Sequence, residues 1–404
     1  MPAGSESEGE TTLAASPHRY DITVLGGGIM GSSAAYFLQQ LLPGACICVV
    51  EPDPSYEFAS TVRASGGVRV LFSCPENVEM SKYSREFIRR FPVDMAVGGR
   101  EAPVDWVEGG YLFIVPPAGT KMLDASYEIQ LLHGCEVDLL TPEQLKDRFP
   151  SMRVDDLSAG VHSPRDGWCD PNGLLQGFRR SAIARGVNYI TDRVVDIGRT
   201  DHAVTHARLA SGEYLRSDIF VNAAGAWAAQ LCAMVEMPLP IAPLRRFEHY
   251  FTAATPIERL PYVKDLDRLA FRSEGIGFSG GLVNGGEPRG FNFDVDHDYF
   301  ERAVWPALAH RFPAFEAAKC HRTWSGLYEQ CELDGNPVIG NWKGSLDNFY
   351  VLSGFSGHGM MHAPAAGRAI AELIAHGSFQ TIDLQRLGYA RIERGEPYPE
   401  AGIL

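Results

Sequence analysis

The chain has 404 residues, 45% of them hydrophobic and 21% charged, with a formal net charge of −14. That profile fits a globular protein with room for two domains, or for one large domain carrying an inserted one. The negative balance argues against nucleic acid and anionic membrane surfaces as partners, and no apolar run approaches the length of a transmembrane helix.

The opening segment, MPAGSESEGETTLAASPH, is small, polar and acidic, and reads as a disordered tail over residues 1–18. It lacks the basic start and apolar core of a secretory signal, and the Arg-rich amphipathic character of a mitochondrial one. The eight cysteines, at 46, 48, 74, 135, 169, 232, 320 and 331, form no CxxC pair. They read as small buried hydrophobes in a reduced, cytoplasmic protein.

Tyr20 to Glu51 is the most informative stretch. The apolar run Ile22–Leu25 leads into Gly26-Gly27-Gly28-Ile29-Met30-Gly31, then an Ala/Leu/Tyr/Phe pattern at helical spacing, then the apolar run Cys46–Val50 ending in Glu51. This predicts strand, glycine turn, helix and strand. Gly26 permits the tight turn, Gly28 lets a pyrophosphate approach the backbone, and Gly31 lets helix and strand pack closely. Ile29 opens a helix whose N-terminus offers free N–H groups and partial positive charge to phosphates. Glu51 stands where a carboxylate accepts hydrogen bonds from ribose hydroxyls. Together these features specify an adenine-dinucleotide site.

Further along, the pattern predicts a helix over Pro75–Phe91 and strands around a turn over Trp106–Val115. A short helix over Thr141–Phe149 carries a capping box, with Thr141 as N-cap and Gln144 as its reciprocal partner. Asp170, Pro171 and Gly186 cap, open and end another helix. Strands follow at Val187–Val195 and Tyr214–Asn222, the latter running into Ala223-Ala224-Gly225-Ala226-Trp227. Alternating segments at Arg246–Thr252 and Leu269–Val283 read as strands, and Asp298–Phe312 as a helix. The C-terminal third offers the strand Phe349–Leu352, the loop Gly354-Phe355-Ser356-Gly357-His358-Gly359, and a helix over Ala363–Ala375 with Pro364 in its first turn. A second helix N-terminus beside a backbone-lined loop suits the electron-rich edge of a flavin, which points to FAD rather than NAD.

Two patterns imitate sites. Gly275-Ile276-Gly277-Phe278-Ser279-Gly280 matches GxGxxG, but no aliphatic strand precedes it and no helix follows, so it reads as a turn. His358 and His362 are four apart, yet a glycine intervenes, a proline follows and no acid lies between them, so no zinc site is expected.

Taken together, GGGIMG, Glu51, the Ser60-Thr61…Gly66-Gly67-Val68-Arg69 loop, VNAAGAW and GFSGHG resemble the D-amino-acid oxidase superfamily of FAD-dependent oxidoreductases, which includes glycine oxidase, sarcosine oxidase and dimethylglycine dehydrogenase. Longer stretches such as GGVRVLFSCPENVEMS and GHGMMHAPAAGRAIAELIAHGSFQTIDL resemble a branch of FAD-dependent oxidoreductase domain proteins that includes a mitochondrial complex I assembly factor. The resemblance implies an α/β protein: a Rossmann-like FAD-binding domain, discontinuous in sequence, with an inserted mixed or antiparallel β-sheet substrate domain. The FAD-binding portion is expected over 19–75, 150–237 and 320–385, the substrate portion over 76–149 and 238–319, and a C-terminal extension over 386–404.

By that resemblance Gly26, Gly28, Ile29, Gly31 and Glu51 hold the ADP half of FAD. Ser60 and Thr61 lie near the pyrophosphate, Val194 meets the adenine, and Ala224, Gly225 and Trp227 flank the cofactor. Gly357, His358, Gly359 and Met360 line the flavin, with Arg69 close to the ring; Arg69 and His358 are the candidate catalytic residues. Relatives with covalent flavin use a cysteine or histidine where this chain has Gly326 and Arg63, so the FAD is expected to be noncovalent. The oxygen-activating lysine of sarcosine oxidase aligns with Ser279, and its carboxylate-binding arginine and lysine align with Phe72 and Met361. That leaves oxidase and dehydrogenase both open, with O2 or another electron acceptor.

The expected reaction is hydride transfer from the C–H beside an amine nitrogen to flavin, the substrate being a secondary or N-methylated amine or an amino acid. Arg272 is the candidate carboxylate anchor, because its guanidinium fork matches a carboxylate; a salt bridge with Glu274 is its structural alternative. His249, Tyr250 and Tyr328 complete the candidate substrate-binding residues. A flavin-stabilised assembly or binding protein with little turnover, and a 2-hydroxy-acid oxidoreductase, are the alternatives.

Overall fold

The computed structural model describes residues 18–266 and 269–401, so most of the expected tail lies outside the described residues. In chain order the strand β1 (His18–Leu25) leads into helix α1 (Ile29–Leu41) and strand β2 (Ile47–Glu51). Strand β3 (Gly67–Val68) and helix α2 (Pro75–Asp94) follow, then β4 (Tyr111–Val115), α3 (Thr120–Leu132), β5 (Asp138–Leu140), α4 (Pro142–Arg148) and β6 (Ala159–Ser163). Next come β7 (Gly167–Trp168), α5 (Pro171–Ala184), β8 (Asn188–Thr191), β9 (Val194–Arg199), β10 (Val204–Leu209), β11 (Tyr214–Asn222) and α6 (Ala228–Met234). Strands β12 (Ile241–Ala253), β13 (Tyr262–Asp265), β14 (Leu269–Glu274) and β15 (Gly277–Leu282) precede helix α7 (Trp305–Arg311). The chain closes with β16 (Ala318–Cys331), β17 (Val338–Trp342), β18 (Leu346–Ser353), α8 (Gly359–His376) and α9 (Ala390–Arg394).

Two large sheets result. The first runs β17-β18-β11-β1-β2-β8, with β10 and β9 attached beyond β11, and its central pairs β11–β1, β1–β2 and β2–β8 are parallel. Parallel neighbours need crossover connections, and α1 supplies the one between β1 and β2. The second sheet runs β16-β12-β15-β14-β13-β4-β6-β5 and is antiparallel except at β13–β4. Ala159–Ser163, and all of Ala318–Cys331 except its first two residues, fall by the sequence reading in the FAD-binding portion, yet both strands pair in this second sheet. Strand membership is set by partners far along the chain, which composition does not reveal.

Local signals were realised closely. Thr141 Oγ1 accepts the Gln144 amide at 3.3 Å while Gln144 Oε1 accepts the Thr141 amide at 2.8 Å. Asp170 accepts the amides of Asn172 and Gly173, each at 2.9 Å, at the start of α5. The imitation fingerprint at Gly275 is the turn of the β14–β15 hairpin. Helix α8 differs from expectation: it starts at Gly359, so Pro364 lies inside it rather than in its first turn. The glycine loop is therefore shorter, and Gly359 and Met360 belong to the helix that faces the cavity.

The apolar faces meet in separate cores. One joins α1, α2, α5 and α8 to the first sheet. Another, built around Phe251, Phe271, Phe278, Phe312 and Phe315, fills the outer face of the second sheet, with Phe278 and Phe315 edge-to-face at 4.9 Å. Each such ring contributes roughly 2–3 kcal/mol by burial. The opposite face of that sheet turns towards the cavity described below.

Candidate active site

The turn after β1 is held by close backbone contacts. Gly26 has φ +101°, and a side chain there would place its Cβ 2.6 Å from the Ala223 carbonyl oxygen. A Cβ on Gly31 would run into the Gly26 carbonyl oxygen, which is what brings α1 so near β1. Gly28 is different: its Cβ would meet only Thr61 Oγ1, at 4.0 Å, and the position opens onto a cavity. Glu51 is tied to the turn, its Oε2 accepting the Gly27 amide at 2.8 Å and its Oε1 the Asp53 amide at 3.0 Å. Burial pushes this carboxyl up, and those two amides partly offset the rise.

The cavity has a volume of about 460 Å³. It starts at Glu51 and Val194, passes Gly28, Ser60 and Thr61, and reaches Gly357, Gly359 and Met360 under the second sheet. Ser60 Oγ donates to the Leu327 carbonyl at 2.6 Å, tying the loop after β2 to β16. Glu329, also on β16, accepts from Ser353 Oγ at 2.5 Å and from the Phe355 amide at 3.4 Å, and so fixes the glycine loop before α8. An elongated groove with a bare helix N-terminus at Gly28, a ribose-facing acid at one end and a second helix N-terminus at the other fits a dinucleotide cofactor.

Residues 21–373 match the family described as FAD dependent oxidoreductase, DAO. The chain belongs to the DAO family of FAD-dependent oxidoreductases. It is 33% identical to FAD-dependent oxidoreductase domain-containing protein 1 of Xenopus laevis, covering 100% of this chain and 89% of that protein. It is 26% identical to mitochondrial sarcosine dehydrogenase of Homo sapiens, over 92% of this chain but 42% of that longer protein. Among solved structures, L-proline dehydrogenase from P. horikoshii superposes with a TM-score of 0.82 at 27% identity, covering 95% of this chain and 100% of that one. Glycine oxidase from Geobacillus kaustophilus shares the fold, with a TM-score of 0.78 at 22% identity over 92% of this chain and 98% of that one.

Within this DAO fold the sequence-predicted residues separate into two groups. Gly26, Gly28, Ile29, Glu51, Ser60, Thr61, Val194, Ala224, Gly225, Trp227, Gly357, Gly359, Met360, Arg69 and Tyr328 line the cavity. Gly31 stands behind it as the packing glycine. Arg69 is 4% exposed and lays its guanidinium over Phe72, with Cζ 4.3 Å from the ring centroid. Arg63 and Gly326 line the cavity as well, and no cysteine or histidine does so among the described residues.

His358, His249, Tyr250 and Arg272 are not on the cavity wall. His358 turns into the protein, where its Nδ1 hydrogen-bonds His362 Nδ1 at 2.9 Å. Burial, reinforced by the Arg69 charge, pushes His358 down to about 3, so it is neutral. His249 sits between Phe247, Tyr299 and Phe300 with Nδ1 on Thr323 Oγ1 at 2.9 Å. Tyr250 faces His321. Arg272 donates from Nε to the Ser65 carbonyl at 2.6 Å and pairs through Nη1 with Glu274. The structural alternative weighed for Arg272, a bridge to Glu274, is the arrangement present.

In their place the second sheet presents residues not singled out from sequence: Tyr111, Tyr262, Lys264, Arg246 and Glu248. Tyr111 and Tyr262 stack at 4.4 Å. Burial drives Lys264 well below the usual lysine range, and the charges of Arg69 and Arg246 add to the effect. Burial also raises Glu248, to about 7, against the hydrogen bond from Ser279 and the charge of Arg272. The one available signal was Lys264 itself, a lone cation in the apolar run Tyr262-Val263-Lys264. Among the described residues no cluster of His, Cys, Asp and Glu could hold a metal, and no helix is long and apolar enough to cross a membrane.

Proposed function

We propose that this chain binds FAD noncovalently and oxidises the carbon beside the nitrogen of a carboxylate-bearing amine or amino acid. The observation that carries this reading is one continuous cavity, linking the Gly26–Gly31 turn to a polar chamber under the second sheet. Bound there, FAD supplies a hydride acceptor. The chain's own part is to bind and orient. Gly28 and Thr61 would flank the pyrophosphate, Glu51 would take the ribose, and Gly357, Gly359 and Met360 would border the flavin. Arg69, held over Phe72, keeps a cation beside the ring, which favours developing negative charge. Tyr111, Tyr262 and Tyr328 wall the chamber and limit water. The domain partition follows from this division: a FAD-binding part carries the first sheet and a substrate part the second.

L-proline dehydrogenase and sarcosine dehydrogenase, named for amino-acid substrates, support the substrate class. The test is anaerobic mixing of the holoprotein with sarcosine, proline, dimethylglycine, iminodiacetate and D-amino acids. At least one of them bleaches the flavin absorbance. A flavin that stays oxidised across a broad amine panel overturns the reading.

A further inference from the structure

One register row of the second sheet crosses four strands above the cavity. Lys264 of β13 pairs with Ala270 of β14, and Ala270 pairs with Gly281 of β15. His249 of β12 pairs with Gly280, where that pairing ends, and Glu248 is the next residue along β12 on the Gly281 side. The row therefore reads Lys264, Ala270, Gly281, Glu248, and all four residues line the cavity. A cation and an acid face each other across two positions with almost no side chain. Because alternate residues of a strand share a face, this is a trough cut by register, not by loops.

The charged groups at its two ends are open to a ligand. Among the described residues Lys264 Nζ has no carboxylate partner; its recorded neighbour is the Phe113 ring, 5.7 Å away. Glu248 Oε1 accepts Ser279 Oγ at 2.7 Å, and no hydrogen bond is recorded for its other oxygen among those residues. Three strand spacings of about 4.8 Å put the two backbones about 14 Å apart. An α-amino acid with a hydrogen bond of about 2.8 Å at each end spans about 8–9 Å. Swung inwards, the lysine and glutamate side chains have the length to close the remainder.

We infer that Lys264 and Glu248 are the two substrate anchors of this site, Lys264 holding the carboxylate and Glu248 the amine of an amino acid lying across Ala270 and Gly281. The inference rests on the amine-oxidation reading and gives that site its orientation. It also assigns a proton. An ammonium has no lone pair to form a carbon–nitrogen double bond. Its N–H bond breaks, the proton passes to the Glu248 carboxylate, and the electron pair stays on nitrogen as the free amine. Burial is the main cause that lowers the proton affinity of Lys264 and raises that of Glu248, and an opposite charge beside each would offset it. A substrate zwitterion supplies both at once.

The test is a spectral titration of the full-length holoprotein with pyrrole-2-carboxylate and with pyrrole-2-carboxamide, read from the flavin absorbance. The wild-type protein binds the carboxylate at least thirtyfold more tightly than the amide. Lys264→Met removes that preference by weakening the carboxylate about thirtyfold, leaves the amide within threefold, and Lys264→Arg restores most of the loss. If Lys264→Met does not retain flavin, Lys264→Gln takes its place. Ala270→Leu fills the trough and weakens both ligands. Glu248→Gln slows flavin reduction about tenfold or more at pH 7, and the deficit shrinks as pH rises towards the amine's own pKa. An unchanged carboxylate preference in the Lys264 variants, or wild-type reduction rates for Glu248→Gln across pH 6–9, overturns this assignment while the oxidation reading stands. Absence of both ligand binding and bleaching in the wild-type holoprotein overturns the two together.

Discussion

Glu51 Oε2 accepts the backbone amide of Gly27 at 2.8 Å, so the acid that ends the second strand is bonded to the turn that follows the first. The bond fixes the carboxylate before any ribose arrives. Glu51→Ala removes a preset acceptor for two hydroxyls, and a hydrogen bond to a charged group contributes about 1.5–3 kcal/mol. FAD affinity is expected to fall about ten- to hundredfold, measured by the fluorescence of free flavin after ultrafiltration.

The three fingerprint glycines fail in different ways. Gly31→Ala drives a methyl into the Gly26 carbonyl, and overpacking of that kind costs about 1–3 kcal/mol or more. The protein melts earlier whether or not FAD is present. Gly28→Ala meets no protein atom nearer than Thr61 Oγ1 at 4.0 Å, so the apoprotein melts as the wild type does while FAD binding is lost. Parallel melts and flavin titrations separate the two; equal melting losses would refute the distinction.

No cysteine or histidine lines the cavity among the described residues, and FAD is expected to be held without a covalent bond. Acid precipitation is expected to leave the yellow colour in the supernatant, and a denaturing gel to show no fluorescent band. Flavin retained on the precipitated protein contradicts this.

Arg272 is 7% exposed, with its guanidinium shared between the Ser65 and Ser273 carbonyls and Glu274. Arg272→Met leaves the half-buried Ser65 carbonyl without that donor, at about 1 kcal/mol. Denaturant melts are expected to show this loss, while the dissociation constant for pyrrole-2-carboxylate stays within threefold. A large rise in that constant at unchanged stability would return Arg272 to the substrate.

Glu248 predicts a pH dependence. Burial raises it to about 7 from 4.5; Ser279 and Arg272 on the neighbouring strands oppose the rise, and Glu274 adds to it. Arg246 on its own strand, Tyr328 on the adjoining β16, and Tyr262 and Lys264 on β13 are further ionisable groups around the chamber. A folded-state value above the unfolded one means the protonated carboxyl stabilises the fold fully below about pH 4.5. That contribution is lost as pH rises through about 7, and reaches about 3 kcal/mol. Urea melts of wild-type and Glu248→Gln apoprotein at pH 5 and pH 8.5 read it directly. The variant gains on the wild type at the higher pH; equal gaps at both pH values contradict the assignment.

The elements that could be read from sequence are those whose cause is local. The Gly26–Gly31 turn, the Thr141 capping box and the Asp170 cap are each decided within a few residues, and each occurs as read. The start of α8 was placed late because Gly357 and Gly359 suggest a loop, whereas Gly359 tolerates the first helical turn. The chamber was harder. Arg272 and Ala270 are two apart and share a face of β14, yet only Ala270 lines the cavity. What diverted the guanidinium was the Ser65 carbonyl, 207 positions away in sequence. Lys264 and Glu248 meet one ligand-sized gap only through the register of four strands. No periodicity within one segment encodes that.

The first sheet sets β1 between β2 and β11, and β11 beside β18, although β18 begins at residue 346. The groove that receives the dinucleotide thus has walls made early and walls made last. While the chain is being synthesised, at about 5–20 residues per second, the fingerprint emerges many seconds before its far wall exists. A fragment ending ahead of β18 carries the whole recognisable motif and half a binding site. Cofactor capture therefore reports completion of the chain, and flavin retention can serve as a direct assay for truncated or misassembled molecules.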